Sequence, residues 1–219
     1  MVTSERLRRT IESCQKCPRL SQHQNAVKRL HPDYHCAPVG PWGVARPRLL
    51  IVGLAPGLHG AGRTGKGFVG DASGAFLFSS LYEYGFSSSP DPEKARLQGA
   101  VVTNIVKCLP PKNRPSNVEK RQCEGYLRQE LAEFSPSRKA KPRVVLCLGR
   151  DAYESVMRLV GAATKPFAHN QRIKLAANYH LVGSFHPSRL NVNTGRLTRA
   201  MFNDMFSNIK ALLDGSSSL

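Results

Sequence analysis

The sequence predicts an α/β fold: a three-layer sandwich with a parallel sheet between two layers of helices. Three observations lead there. Four apolar runs, at residues 48–54, 100–106, 143–148 and 180–185, are continuous rather than alternating, as strands buried on both faces are. Helical patterns separate them, at 75–84, 118–134 and 151–160, and strands alternating with helices favour a parallel sheet. The first run ends in a loop with eight glycines in residues 53–74. Strand, glycine loop, helix is where such sheets place ligands, at the carboxyl end of a strand.

The remaining elements follow in chain order. Residues 3–14 read as a helix, with Leu7 and Ile11 on one face. Residues 18–47 are rich in His, Pro and basic side chains and read mostly as loop, with a short helix near 21–30. Residues 135–142 form a basic loop, and a last helix covers 197–213. The 219 residues suit one domain, with residues 1–47 as an N-terminal helix-and-loop region and 215–219 as a frayed tail.

Thirty-two Lys and Arg against 15 Asp and Glu give a net charge of +17, which favours a polyanionic partner. No apolar stretch is long enough to span a membrane and the N-terminus carries no signal-peptide pattern, so the chain is expected in the cytoplasm. Residues 60–66 match the spacing G-x-x-x-x-G-K of a nucleotide phosphate loop, but Gly67 stands where a Ser or Thr hydroxyl should hold magnesium. A nucleotide enzyme is therefore the weaker reading of the glycine loop.

Six cysteines in a reducing compartment point to metal ligation rather than disulfides. Cys14-x-x-Cys17 is one tight pair; Cys108 and Cys123 flank a segment holding three prolines. Neither pair completes a four-ligand site, and together they make Cys₄, suited to zinc or an iron–sulfur cluster. Cys147, inside an apolar run, reads as a small buried hydrophobe, and Cys36 has no assignment.

Four segments carry a resemblance: GLAPG at 53–57, GRTGKGFVGDASGAFL at 62–77, VVTNIVKCLPPKNRPS at 101–116 and SFHPSRLNVNTGRLTRAMF at 184–202. Together they resemble the uracil-DNA glycosylase superfamily, above all its iron–sulfur family 5. The resemblance implies a four-stranded parallel sheet, and a [4Fe–4S] cluster held by Cys14, Cys17, Cys108 and Cys123 rather than zinc. It also implies a monomer associated with the nucleoid that removes uracil and other deaminated bases from DNA, with no membrane partner.

Such an enzyme takes its base out of the duplex before acting. Phe68 matches the family position that stacks on the flipped base; its alternative is a core phenylalanine. Gly53 and Ala55 belong to the base-binding first motif. Family relatives often carry a polar residue where this chain has Leu54, and the resemblance shifts the acidic role to Asp71. Asp before a helix is also an ordinary N-cap. His186, at a strand end before Pro187, matches the donor that stabilises the departing base. Asn104 matches the position where family 4 reads the uracil edge, and Asn113 a position linked to activity in family 5. Ser188, Arg189 and Leu190 resemble the loop that enters the minor groove, as wedges do in other DNA-bending proteins. Arg196 and Arg199 are expected at phosphates, and Ser73 and Gly74 offer helix N-terminal amides to another. A catalytically inactive nucleic-acid-binding module is the alternative; it has no use for Asp71, Asn104 and His186.

Overall fold

The computed structural model describes residues 5–163 and 165–216. The expected helix at 3–14 starts on residues outside that set, and most of the expected frayed tail lies outside it too. Chain order runs α1 (Glu5–Glu12), α2 (Pro18–Leu30), β1 (Trp42–Gly43), β2 (Leu49–Gly53), α3 (Ala61–Thr64) and α4 (Ala72–Glu83). It continues with β3 (Ala100–Asn104), α5 (Asn117–Phe134), β4 (Arg143–Leu148), α6 (Arg150–Val160), β5 (Gln171–Ala176), β6 (Tyr179–Ser184), α7 (Arg189–Asn193) and α8 (Arg199–Asp214).

The sheet order is β1-β3-β2-β4-β6-β5. The four expected strands form its parallel centre, in registers that pair Ile51 with Val102 and Leu146, and Leu146 with Val182. Two further strands correct the four-strand expectation. β1 pairs antiparallel with β3, and β5 pairs antiparallel with β6 across the turn at 177–178. Both escape the sequence pattern for a physical reason. β1 is two residues long, and β5 is an edge strand whose apolar run is broken by Arg172 and the exposed Lys174.

Side chains along each central strand alternate between two cores, as the two-residue strand period requires. Leu50, Val52, Val145 and Cys147 face the core beneath α1, α2, α5 and α6. Leu49, Ile51, Val144 and Leu146 face the core beneath α4 and α8.

Helix starts are fixed by local chemistry. Pro18 sits in the first turn of α2, where its missing N–H costs nothing, and this brings the helix start three residues ahead of the expected one. Ser116 and Glu119 form a reciprocal capping box on α5, and Ser188 and Thr198 cap α7 and α8. Arg19 meets Glu119 at 2.7 Å, tying α2 to the start of α5 and drawing the Cys17 and Cys123 segments together.

Candidate active site

The carboxyl ends of β2, β3 and β6 converge on a cavity of about 370 Å³, a size ordinary for a small-molecule pocket. Its walls come from Leu54, Ala55, Gly57, Ala61, Phe68, Asp71, Ser73, Asn104, Asn113, His186 and Ser188. All three expected catalytic residues are among them, with the expected aromatic platform and edge-reading amide.

Phe68 reaches the wall through a left-handed backbone, φ 60°, which a bulky residue adopts only under constraint from its surroundings. The constraint is visible on both sides. The Trp42 indole donates to the Gly67 carbonyl at 3.0 Å, and a Cβ at Gly74 would sit 2.0 Å from the Phe68 carbonyl oxygen. Only glycine lets the first turn of α4 back onto that carbonyl. The Phe68 ring is 8% exposed and stands 5.8 Å, centroid to centroid, from the His186 ring.

Asp71 fills both roles open to it. Its Oδ1 accepts from the Gly74 N–H at 2.9 Å and caps α4. Its Oδ2 is turned toward Gly57 and Gly60, and a Cβ at Gly60 would approach it to 2.3 Å. One carboxylate therefore starts a helix with one oxygen and presents the other at the cavity. The Gly74 amide expected at a phosphate is thus already occupied by Asp71.

His186 follows β6, and its carbonyl accepts from Asn191 Nδ2 at 2.8 Å, which holds the strand end against α7. Burial pushes its imidazole below the ordinary value of 6.5, and the charge of Asp71 opposes that shift. The ring is therefore neutral at neutral pH, with one nitrogen able to donate. Asn104 ends β3 at 3% exposure, and among the described residues no protein group pairs with its side-chain amide. Asn113 sits in a tight turn at φ 55° on the segment between Cys108 and Cys123, which carries it to the cavity.

The other expected residues lie around this centre. Gly53 is behind the wall: a Cβ there would meet Asn104 Oδ1 at 2.4 Å and the Phe68 ring at 2.8 Å, so glycine makes room for both. Ser188 caps α7 at the cavity rim, and Arg189 and Leu190 follow it, with Leu190 72% exposed. Arg196 lies over the Phe185 ring at 4.8 Å. Arg199 binds inward, donating to the Phe76 carbonyl and Ser80 Oγ at 2.9 Å each and stacking on Phe76, so it locks α8 to α4. Lys66, the lysine of the phosphate-loop spacing, lies over Trp42 and takes no part in the cavity wall.

The four paired cysteines also converge. Cys14 follows α1, Cys17 precedes α2, Cys108 follows β3 and Cys123 lies in α5, and all four pack into one core. Burial, reinforced by the neighbouring sulfurs, pushes the Cys17 thiol up to about 11 and the Cys108 thiol up to about 12. Cys17 Sγ lies 2.9 Å from Gln122 Oε1. Among the described residues no three His, Cys, Asp or Glu side chains stand close enough to clasp a single metal ion.

Gly57 and Ala61, which line the cavity, and a buried ion pair beneath it join the site without a role expected from the sequence. The first two stand in the glycine loop, whose composition was the available signal. Lys107 stands out only as a cation within an apolar run, at 1% side-chain exposure against Glu130 of α5.

Comparison with known proteins decides among the readings. The model of the uracil DNA glycosylase superfamily matches residues 41–210. The chain belongs to that superfamily, in its type-5 group. The Type-5 uracil-DNA glycosylase of Pyrobaculum aerophilum is 41% identical, over 86% of this chain and 84% of that protein. The Type-5 enzyme of Thermus thermophilus is 40% identical over 93% and 95%. A Type-4 uracil-DNA glycosylase of Pyrobaculum aerophilum is 31% identical over 72% and 66%. The crystal structure of Pedobacter heparinus SMUG2 shares the fold, at TM-score 0.50 and 15% identity over 87% of this chain and 84% of that one. In this superfamily member no helix among the described residues is long and apolar enough to cross a membrane.

Proposed function

We propose that this protein is a DNA-repair uracil glycosylase that flips a damaged base into the Phe68 cavity and hydrolyses its N-glycosidic bond. The observation that carries the reading is the meeting of Asp71, Asn104, His186 and Phe68 in one cavity at the strand ends. Binding alone needs none of the first three, so the inactive-module alternative leaves them unexplained.

The chemistry follows from where charge develops. As the bond between C1′ and the base breaks, the electron pair leaves with the base and the sugar becomes cationic. Neutral His186 donates a hydrogen bond to the base oxygen that gathers negative charge, and it does so without itself changing charge. Asp71 Oδ2 stabilises the cationic sugar and orients water. The water oxygen bonds to C1′, its proton goes first to Asp71 and then to the departed base, and an abasic site remains. Phe68 stacks on the base, and the unpaired Asn104 amide reads its edge. The walls at Leu54, Ala55 and Ala61 are apolar, which supports acceptance of other deaminated bases. Asn113 lies close enough to the cavity to steady the water or the base.

The DNA surface in this reading is the Ser73 helix start with the 188–196 segment. Exposed Leu190 is the candidate wedge for the gap left by the flipped base, beside Arg189, and Arg196 faces phosphate. The net charge of +17 supports the encounter and nucleoid association. The cavity is complete within one chain, which supports a monomer.

Cys14, Cys17, Cys108 and Cys123 would hold a [4Fe–4S] cluster. Soft thiolates suit it, and such a cluster takes one ligand on each of four irons, farther apart than four ligands on one ion. The group would staple the N-terminal cysteine pair to the segment that bears Asn113; the hydrolysis uses none of its chemistry.

A single-turnover assay on a duplex with one uracil, followed by alkali cleavage at abasic sites, tests the function. Cleavage at the uracil position is expected, and an intact strand at stoichiometric protein would sink it. Four irons and four sulfides per chain in anaerobically purified protein are expected of the cluster; one zinc per chain would refute it.

A further inference from the structure

Beneath the cavity, a lysine and a glutamate are buried together at 1% side-chain exposure each. Burying two charges is expensive, and such pairs are often replaceable by apolar residues without loss of stability. What this one does is visible in its hydrogen bonds. An ammonium has three hydrogens, and Lys107 Nζ has three hydrogen-bond acceptors. They are Thr103 Oγ1 at 2.7 Å, the Asn104 carbonyl at 2.7 Å and the Glu130 carboxylate, whose Oε1 and Oε2 stand at 2.8 and 2.9 Å. The Thr103 hydroxyl in turn donates a hydrogen bond to Glu130 Oε2 at 3.0 Å, closing the ring.

The third acceptor gives the ring a function. Asn104 is the last residue of β3, opposite Gly53 at the end of the parallel ladder. Past that point the ladder shifts to loop pairing, with the Ile105 and Val106 amides on the Gly53 and Leu54 carbonyls. The Asn104 carbonyl is held by the buried ammonium instead, while the side chain of the same residue faces the cavity with its amide unpaired. We infer that Lys107, Glu130 and Thr103 are positioning residues that fix the end of β3 and so aim the Asn104 amide at the edge of the flipped base. The inference rests on the functional reading above and extends it: base discrimination is set partly in the core, by residues that never touch the base.

The test is a cycle of variants. Lys107→Met/Glu130→Met replaces the pair by apolar groups of similar length, and Asn104→Ala removes the amide being aimed. The first should lower the single-turnover rate on uracil by about tenfold to a hundredfold, the range expected when a reacting geometry slips by an ångström. Affinity for abasic-site DNA should not change. In the Asn104→Ala background the same core substitution should cost almost nothing. An equal loss in both backgrounds, or no loss in either, would overturn the inference.

Should the double variant fail to fold, Thr103→Val opens the ring while leaving the ion pair and every cysteine in place, and the same cycle applies. A second readout is independent of activity. The Asn104 side-chain NH₂ pair should give one sharp set of signals in the ¹⁵N–¹H spectrum of the wild type and shifted or multiplied signals in the ring variants. Unchanged signals would refute positioning. Absence of uracil excision by the wild type would sink the functional reading alone, since the amide signals still decide whether the ring fixes Asn104.

Discussion

The core under α4 and α8 is packed with Leu77, Phe78, Leu81, Phe202, Met205, Phe206 and Ile209. The core on the other face of the same sheet, under α5 and α6, includes Cys17, Cys108, Cys123 and Cys147, and beside them lie Lys107, Glu130 and Thr103. Both faces are buried, and their strands contribute alternate residues of the same apolar runs. They differ in what else is buried. The aromatic face can be understood from area and packing, with neutral Ser80 hydrogen-bonded to Arg199 and Asn203 between α4 and α8. The thiol face carries a buried charge pair that packing does not require, Lys107 just past β3 and Glu130 in α5, the elements that flank Asn104 and Asn113. Phe68 packs into the aromatic core and Asp71 caps α4, so the cavity draws on both sides of the sheet, while the buried charge pair lies on the thiol side alone.

Matched core substitutions should separate the faces. Phe206→Ala leaves a hole among aromatic neighbours and should cost about 3–5 kcal/mol of stability. Lys107→Met leaves Glu130 buried and unpaired and should cost a similar ~3–5 kcal/mol. Denaturant melts check both. The single-turnover rate of the folded fraction should stay at the wild-type value for the first and fall for the second. Equal rates would erase the distinction between the faces.

A smaller effect is expected at the platform. Phe68→Ala should weaken uracil excision by about 1–3 kcal/mol, roughly fivefold to 150-fold, from lost stacking. Alanine keeps the Cβ that strains a left-handed backbone, so the change in stability reports the lost ring packing alone. A stability loss larger than the loss of activity would make Phe68 a core residue first.

Stability against pH gives a further check. His180 and His186 are both held below the ordinary 6.5 by burial. The unfolded chain therefore binds more protons than the folded one once pH drops past about 6.5, so these two residues lower stability progressively on acidification. Melting temperature should be level in this respect above pH 7 and should fall below 6.5. His180→Phe should flatten part of that fall, since His180 Nδ1 is buried with no partner among the described residues. A melting temperature that rises on acidification would contradict the sign. The smallest effect is at Arg199. Arg199→Ala should cost about 1 kcal/mol of stability from its two hydrogen bonds and its stack on Phe76, with little change in DNA affinity. A large affinity loss would return Arg199 to the phosphate surface.

The parallel centre of the sheet was legible because burial on both faces writes an unbroken apolar run into a strand. β1 and β5 were not, because pairing with β3 or β6 is decided by distant residues and an edge strand carries charge. Asp71, His186 and Asn104 were legible through motifs in which each stands at a strand end or helix start, and Phe68 through the glycine loop that surrounds it. The double duty of Asp71 was not, since which oxygen caps and which faces the cavity depends on Gly60 across the loop. The Lys107–Glu130 pair was hidden for a similar reason: its members lie 23 residues apart, in the segment after β3 and in α5, and neither segment carries a local signal of the other.

The central claim is that an Asp71 oxygen supplies charge at the cavity while its partner oxygen caps α4. Asp71→Asn separates the two, because asparagine keeps the capping oxygen and loses the charge. Single-turnover excision from a uracil-containing duplex should fall by about 10²–10³, with helix content and DNA affinity unchanged. A variant that excises uracil at the wild-type rate would contradict the account.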